Sequence, residues 1–431
     1  EMTLNDTLEL DRAIKLTSSW SLRGEKGTNR FTNRVSYKNI AAVEELLELL
    51  KSDFHNQNKK FHKSVYREYL CIILAHLFFA REYECRVRYS RSTSHCSGGI
   101  NSVIVIKVLE FLGTLSLVKQ HIAAPVEGNP EQSTFWPTEK FTSYSTDKLE
   151  WQSIAFVDDF ICLRGEKAQD ELPLPEPAKH LYSRVSKVNS FLQNTRILQD
   201  NKKLKVVLRR VFKYSLELGG RFYTRGGFPY QTIKKEHRKL ITIDGYPTKE
   251  VDFKAMHLNM LYAWAGIKLD QDPYVIEGLE RDVVKALVLR FVNSENLRGF
   301  KSAVTKSSSP DFKQRMGCPI ERAKIHPDSR KSFIEGLPDG ITGEEAHGYL
   351  ASAYADISEY IAQENIGLRL QNTDSRIMDV ILVELCERGI VALPIHDSII
   401  VKENDVSIAM EIMKKSYKDI MGGYEIDVSV S

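Results

Sequence analysis

The chain has 431 residues, 42% of them hydrophobic and 27% charged, which are ordinary values for a globular protein of two or three domains. The net charge of +3 excludes strong binding to nucleic acid through bulk charge alone, so such binding would require local patches. The six cysteines contain no Cys-x-x-Cys pair, which argues against a zinc ribbon or a disulfide framework.

The beginning of the chain is charged and predicts a helix rather than a signal peptide. The longest apolar run, YLCIILAHLFFA, has 12 residues, fewer than the about 20 that cross a bilayer. We therefore expect no membrane partner and a cytoplasmic location.

The first elements predict a helical segment followed by a winged helix. Residues 1–60 are predicted to be helical, with AAVEELLELLKSDF an amphipathic helix. A second helix over 62–82 and a third ending near Gly113 precede a strand, a turn at VEGNPEQ and a second strand in STFWPTEKF. Helix, helix and hairpin is the order of a winged helix-turn-helix, which binds a DNA groove. The alternative is a helical packing domain with a hairpin.

A linker and a basic segment follow. Residues 166–182 are rich in proline and acidic groups and predict a linker. Beyond it, SRVSKVNSFLQN and LKVVLRRVFKYSLEL predict two helices. Residues 201–240 carry twelve Lys and Arg against two Glu, a net +10, with aromatic residues interleaved. This pattern suits a phosphate backbone with stacked bases, whereas the alternative is a solvated face of exposed helices.

The segment TIDGYPTKEVDFKAMHLNMLYAWAG, residues 242–266, predicts two strands around a turn and then a helix. Asp252 ends the second strand, where its carboxylate could hold a metal ion. The alternative is that Asp252 caps the following helix.

The segment RDVVKALVLRFVN, residues 281–293, predicts a helix with Arg281, Lys285, Leu289 and Asn293 on one face. Arg281 and Lys285 are one helical turn apart, so both cations can bind the phosphates of one triphosphate. The alternative is a surface helix with an ordinary basic stripe.

The segment LQNTDSRIMDVILVELCERGIVALPIHDSIIV, residues 370–401, predicts a helix over 374–388 and then a hairpin with Asp397 at its tip. A carboxylate there can face Asp252. Such a pair can bridge two Mg²⁺ ions roughly 3.5–4 Å apart, with Mn²⁺ as an alternative.

In this order the three segments resemble the polymerase motifs of family A DNA polymerases and of bacteriophage-type single-subunit RNA polymerases. VDFKAMHLNML resembles the first motif and RDVVKALVLRFVN the fingers helix, R-x3-K-x3-F-x3-Y. LQNTDSRIMDVIL is similar to the Q-G-T-x-A-D helix, PIHDSIIV to the His-Asp-Glu hairpin, and GGRFY to a G-R-x-Y step of the RNA polymerases. The resemblance covers about residues 215–403 and extends to an uncharacterised bacterial and mobile-element branch.

The resemblance implies an α+β polymerase right hand joined to an N-terminal helical and winged-helix domain. The implied boundaries are 1–60 for the helical segment, 61–165 for the winged helix, 166–182 for the linker, 183–218 for thumb-like helices, 219–266 and 366–431 for the palm, and 267–365 for the fingers.

The resemblance also implies a role for each site residue. Catalysis and metal binding fall to Asp252 and Asp397, with the backbone carbonyl of Phe253 as a further ligand. The implied nucleotide-binding residues are Arg281, Lys285, Leu289, Asn293 and His257. The implied primer and template contacts are Gln371, His396, Arg221, Arg225, Lys234, Lys235 and Arg238. The expected partners are a DNA template–primer, with RNA as the alternative, and nucleoside triphosphates, and we expect a monomer.

The chain departs from the family pattern where the sugar is selected. His257 stands where the DNA polymerases carry Glu, Asn293 where both branches carry Tyr, Leu289 at the Phe position, and Ser398 follows the hairpin Asp as in RNA polymerases. DNA synthesis is slightly favoured, because a bulky His257 can exclude a 2′-hydroxyl. The alternatives are an RNA polymerase or primase, a metal-dependent nuclease, and a winged-helix regulator or replication initiator with an inactive palm.

Overall fold

The computed structural model describes residues 35–37, 40–56, 60–82, 86–89, 91, 101–123, 133–148, 154–156, 160–166, 172–224, 230–294, 296–317, 337–361 and 363–431. The chain divides into two compact units. The N-terminal unit comprises Glu1–Asp159, Arg196–Val207 and Thr224–Ile241, and the C-terminal unit Phe160–Thr195, Leu208–Tyr223 and Thr242–Ser431. Both units contain helices and strands, which confirms a mixed α+β class.

The α-helices of the described residues are α1 (Ile40–Asn56), α2 (Lys63–Glu82), α3 (Ser102–Thr114), α4 (Glu139–Lys148), α5 (Ala178–Gln193), α6 (Lys235–Arg238), α7 (Met256–Trp264), α8 (Arg281–Val292), α9 (Leu297–Ser308), α10 (Pro310–Gly317), α11 (Gly343–Ala353), α12 (Ser358–Ile361), α13 (Ile366–Glu387) and α14 (Val406–Ile420). Within these residues, no helix has the length and apolarity needed to cross a membrane.

The strands of the described residues are β1 (Val35–Tyr37), β2 (Val87–Arg88), β3 (Val118–His121), β4 (Thr134–Pro137), β5 (Ile154–Phe156), β6 (Ile161–Arg164), β7 (Ile197–Gln199), β8 (Lys202–Lys203), β9 (Leu208–Lys213), β10 (Ser215–Thr224), β11 (Ile241–Ile243), β12 (Tyr246–Phe253), β13 (Leu393–Ile395), β14 (Ser398–Lys402) and β15 (Val428–Val430).

The N-terminal unit has a helical core beside a small sheet. Helix α2 contributes Leu70, Ile73 and Leu74, all with 0% exposure, because its apolar residues recur at helical spacing. The helices α1, α2 and α3 lie where the sequence predicted them. The predicted hairpin strands are confirmed as β3 and β4, which pair antiparallel, and β2 pairs with the other edge of β4. The predicted turn VEGNPEQ lies outside the described residues.

Two predictions about the first 182 residues need correction. The prediction of helix over 1–60 is wrong at β1, a β-branched and aromatic VSY stretch that pairs antiparallel with β5, and residues 1–34 lie outside the described part. The predicted linker 166–182 overlaps α5, which begins at Ala178 directly after a proline. Proline is favoured at a helix start because its missing amide hydrogen costs no intrahelical bond there.

The C-terminal unit is built around a sheet with β12 at its centre. β14 pairs antiparallel with one edge of β12 and carries β13, while β11 and β15 pair with the other edge. The turn between β11 and β12 uses Asp244 and Gly245 with φ of 51° and 86°, as a two-residue hairpin requires. Phe253 reaches Tyr417 of α14, with ring centroids 5.9 Å apart, so α14 covers one face of the sheet. The predicted strands and hairpin are thereby confirmed.

A second, three-stranded sheet, in the order β10-β9-β6, corrects the prediction for residues 204–218. The predicted second thumb helix is wrong, because its residues form β9 and the start of β10. The alternating side chains Leu208, Arg210 and Phe212 are buried, which is the period of a strand. Helix α13 also begins at Ile366, earlier than the predicted start at Asp374.

Candidate active site

The register of β12 and β14 brings Asp252 and Asp397 next to each other. The Cα partner of Asp252 is Ser398, the residue that follows Asp397. The backbone amide of Phe253 donates to the carbonyl oxygen of Asp397 at 3.4 Å. Directly paired residues of antiparallel strands lie about 4.5–5.5 Å apart, which is the spacing of Asp252 and Ser398, and Asp397 is the next residue along the chain. Both aspartates are half-buried.

The tip of the β13–β14 hairpin holds a constrained residue. His396 and Asp397 form the connection, because Ile395 pairs directly with Ser398. His396 has φ of 55°, a left-handed conformation that costs a non-glycine residue roughly 1 kcal/mol. Its ring packs edge-on against Tyr223, with centroids 5.8 Å apart. The strain is therefore located next to the acidic pair.

The side chain of Asp252 lies on the face of β12 opposite the core. Val251 and Phe253 are buried at 0% and 3% exposure, and successive side chains of a strand alternate between its faces. Glu250 shares the face of Asp252, and its carboxylate accepts a hydrogen bond from the Ser398 hydroxyl at 3.1 Å. Strand alternation thus explains why a polar cluster adjoins a buried sheet.

Tyr274, for which the sequence contains no functional signal, interacts electrostatically with both aspartates and lies beside Arg281 of helix α8. Burial raises the pKa of Tyr274 to about 12, and the carboxylates of Asp397 and Asp252 both add to the rise. Both carboxylates therefore lie within electrostatic reach of one phenol. The guanidinium of Arg281 lies 5.2 Å from the centroid of the same ring.

The exposed face of α8 carries the four predicted nucleotide-binding residues. Arg281, Lys285, Leu289 and Asn293 are all exposed, and Leu289 is 60% exposed despite being apolar. Val283, Val284, Leu287 and Val288 bury the opposite face. The predicted common face is therefore confirmed, whereas the role of its residues remains a prediction.

Arg281 is already engaged by an acidic residue. Its Nε donates to the carboxylate of Asp272 at 2.6 Å. This hydrogen bond raises the pKa of Arg281 and is the main reason why the pKa of Asp272 is lowered. The backbone amide of Tyr274 also donates to Asp272, at 3.0 Å. An incoming phosphate would have to compete with this carboxylate for Arg281.

The end of α8 meets the beginning of α13, where two predicted residues make contact. The Gln371 amide nitrogen donates to the side-chain oxygen of Asn293 at 3.4 Å. The helices can approach because residue 367 is glycine: a Cβ there would lie 2.7 Å from the Val292 carbonyl oxygen. A predicted nucleotide contact and a predicted primer contact are thus adjacent.

A buried ionic cluster joins β10, α7 and α13. The side chain of Asp374 has 0% exposure and accepts hydrogen bonds from Arg221 Nε at 3.2 and 3.0 Å. His257 Nε2 lies 2.9 Å from the same carboxylate. Burial lowers the pKa of Arg221, but the charge and hydrogen bonds of Asp374 outweigh it, so the net pKa is raised. Two predicted substrate contacts are therefore anchored by one carboxylate.

Asp374 carries no local sequence signal that marks it as a site residue. Its partner Arg221 is 153 residues away along the chain. Asp374 lies on a helix whose buried positions are otherwise mainly apolar. From the sequence alone, a carboxylate at this position is expected to be solvent-exposed, because nothing nearby in the chain indicates that Arg221 pairs with it.

The remaining predicted template contacts belong to the N-terminal unit or to the undescribed residues. Lys234 and Lys235 are exposed at the start of α6. Arg238 donates to the carbonyl oxygen of Ile233 at 2.8 Å. Arg225 lies outside the described residues.

The acidic pair supplies two carboxylates, which is fewer protein ligands than an all-protein metal cage requires. Within the part of the chain that the structure describes, no group of three or more His, Cys, Asp or Glu side chains could hold a metal ion. Mg²⁺ is typically bound by one or two carboxylates, with waters and substrate phosphates completing its shell. Asp252 and Asp397 fit that requirement.

Comparison with known proteins gives a structural likeness only. No protein-family model matches the chain, and no curated protein matches it. Among solved structures, the chain is similar to the POL domain of Pol1 from M. smegmatis in complex with DNA primer-template and dNTP, at 12% identity and a TM-score of 0.31. The match covers 59% of this chain and 51% of the polymerase chain, so this chain spans about half of that polymerase.

Proposed function

We propose that the chain is a template-directed nucleotidyltransferase that adds nucleotides to a 3′-hydroxyl. The observation that carries the proposal is the register of β12 and β14, which makes Asp252 and Asp397 neighbours at one end of the sheet. Arg281 supports it, because its guanidinium overlies the phenol of Tyr274 that both carboxylates influence. In this proposal the β12-centred sheet with α7, α13 and α14 serves as the palm, residues 267–365 as the fingers, and α5 as part of the thumb.

The metal ligands would be Asp252, Asp397 and the backbone carbonyl of Phe253. Bound Mg²⁺ ions would activate the 3′-hydroxyl and stabilise the leaving pyrophosphate. The half-buried position of both carboxylates suits this role, since they are held by the sheet yet reachable by substrate. Neither aspartate needs to move, because both sit on strands or their connection.

The chain's own cations and amides would bind and orient the substrates. Arg281 and Lys285 are exposed and four residues apart, so both can contact a triphosphate that lies along α8. Fixed cations beside the reacting phosphates stabilise the charge that develops there. Gln371 and His396 would position the primer end.

DNA synthesis is the favoured specificity, and ribonucleotide synthesis is the alternative. His257 is the residue proposed to exclude a 2′-hydroxyl by its bulk. Its hydrogen bond to buried Asp374 supports this role, because a tethered imidazole cannot easily swing away from the sugar. Asn293 is held by its own bond to the Leu289 carbonyl oxygen at 2.8 Å, which limits its freedom as well.

The test is incubation of the full chain with labelled dNTPs or NTPs and Mg²⁺ on primed and unprimed templates. We expect extension of primed templates by the wild type and its loss in Asp252→Asn and Asp397→Asn. The matched control is Asp419→Asn, an exposed carboxylate of α14, which should extend normally. Full activity of Asp397→Asn would end the proposal.

A second candidate is a DNA-binding regulator with an inactive palm. The helices α1–α3 and the three-stranded β2-β4-β3 sheet favour it, since they follow the element order of a winged helix. A thermal shift with Mg²⁺ and a nucleoside triphosphate separates the two candidates. Stabilisation that Asp397→Asn abolishes supports the enzyme, whereas no stabilisation of the wild type supports the regulator.

A further inference from the structure

A cationic groove lies between α9 and the beginning of α11, and the proposed function does not use it. Its volume is about 930 Å³, and its lining includes Arg298, Lys301 and Lys306 of α9, facing Thr342 and Glu344. None of the residues assigned above to metal, nucleotide or primer belongs to this lining. The groove is therefore a separate feature of the C-terminal unit.

The groove is rigidly built, because α9 and α11 are in very close contact beneath it. Gly343 is required at this point, since a Cβ there would meet the Lys301 carbonyl oxygen at 2.1 Å. The Gly343 amide donates to the Thr305 hydroxyl at 2.8 Å. On the other side of α9, Phe300 and Val304 are fully buried, at 0% exposure. The backbone that carries the cations is thus held in place, with their side chains on the exposed side of a packed helix.

The charge of the groove is only partly compensated. Lys301 pairs with Glu344 at 2.7 Å. Among the described residues, neither Arg298 nor Lys306 has an ion-pair partner, although the Lys306 ammonium lies 5.5 Å from the Phe312 ring centroid. Three cations against one carboxylate leave a net charge of +2 facing the cavity. Uncompensated cations at a concave surface attract an anionic ligand.

We propose that this groove binds the phosphate backbone of a single nucleic-acid strand. Arg298 and Lys306 are eight residues apart on one helix, which places them about 12 Å apart along its axis. That distance corresponds to about three or four nucleotides of a strand stacked with the 3.4 Å rise that it has in duplex DNA. A single small phosphate would need its cations clustered around one point, whereas this row extends along the helix. The hydroxyl of Ser302, between the cations, can donate to the same backbone.

The experiment measures binding of a fluorescein-labelled 12-nucleotide single strand to the full chain by anisotropy, over a series of salt concentrations and without metal or nucleotide. The test variant is Arg298→Gln/Lys306→Gln. The control variant is Lys414→Gln/Lys415→Gln, which removes the same charge from the exposed side of α14. Because no catalysis is involved, an inactive protein can still meet the prediction, and the outcome is independent of the proposed function.

The plot of log K against log salt has a negative slope, and two lost phosphate contacts should make it shallower by about 1.4, since each contact to a single strand contributes about 0.7. We expect that change in the groove variant and an unchanged slope in the control. Equal slopes in wild type and groove variant, or the same loss in the control, would overturn the proposal. Sodium tripolyphosphate is the competitor in a second experiment. If it displaced the strand at equal phosphate concentration, the groove would be assigned to a small polyphosphate, and the proposal would be overturned.

Discussion

Replacement of Asp374 by alanine should destabilise the chain strongly. The substitution leaves the Arg221 guanidinium, whose side chain is 17% exposed, in a largely buried position without its carboxylate. Removal of one partner of a buried ion pair costs about 3–5 kcal/mol, because the remaining charge is uncompensated. His257 also loses its hydrogen bond at 2.9 Å, so the upper half of that range is expected.

The assay is urea unfolding of the full chain followed by circular dichroism. With a slope of about 2–3 kcal/mol per molar urea, a loss of about 4–5 kcal/mol lowers the midpoint by about 1.3–2.5 M. The double variant Asp374→Ala/Arg221→Met should recover a substantial part of the loss, because it removes the orphaned charge together with its partner.

The matched control is the exposed pair of Lys418 and Glu425, whose side chains are 51% and 67% exposed and 2.7 Å apart. Glu425→Ala should leave the urea midpoint almost unchanged, as is usual for surface ion pairs. If Asp374→Ala cost no more than Glu425→Ala, or if adding Arg221→Met only increased the loss, the inferred burial of this cluster would be refuted.

Two further substitutions test other contacts. Gly343→Ala should cost about 1–3 kcal/mol, because its new methyl group would overlap the Lys301 carbonyl oxygen, whereas Gly348→Ala on the same helix meets no atom within 4 Å and should gain up to about 1 kcal/mol. Similar urea midpoints for the two variants would argue against the close helix contact. Asp272→Asn should free Arg281 and lower the KM for the nucleoside triphosphate by about 1.4- to 5-fold, the worth of a surface ion pair. An unchanged KM would mean that this carboxylate does not compete with the substrate.

Features with local signals were predictable from the sequence. The hairpin of β11 and β12 was predictable from its alternating residues and Asp-Gly turn, and the exposed face of α8 from its four-residue spacing. The adjacency of Asp252 and Asp397 was a resemblance-based hypothesis, and the strand register now places their backbones side by side. Their catalytic role stays a prediction.

One failure, the predicted second thumb helix, occurred where a buried charge replaced a buried apolar residue. Residues 208–213 were predicted as helix because a charged residue, Arg210, occupies an inward strand position between Leu208 and Phe212. The apolar–polar alternation that indicates a strand is therefore interrupted there. Arg210 can be buried since it donates to the Gly220 carbonyl oxygen and to Ser375, both at 2.9 Å, and lies 3.8 Å from Asp379. These partners are distant in sequence, so no local window contains the information.

The most direct measurement of the central claim is a double-mutant cycle on primer extension with Asp252→Asn, Asp397→Asn and the double variant. If the two carboxylates act on the same metal ions, each single substitution should lower kcat/KM by about two to three orders of magnitude or more. The kcat/KM of the double variant should then be scarcely lower than that of the less active single variant, since the effects of residues that act as a unit are strongly non-additive. A shared site would be contradicted if the losses in kcat/KM of the two single variants multiplied in the double variant. Normal extension by either single variant would also contradict it.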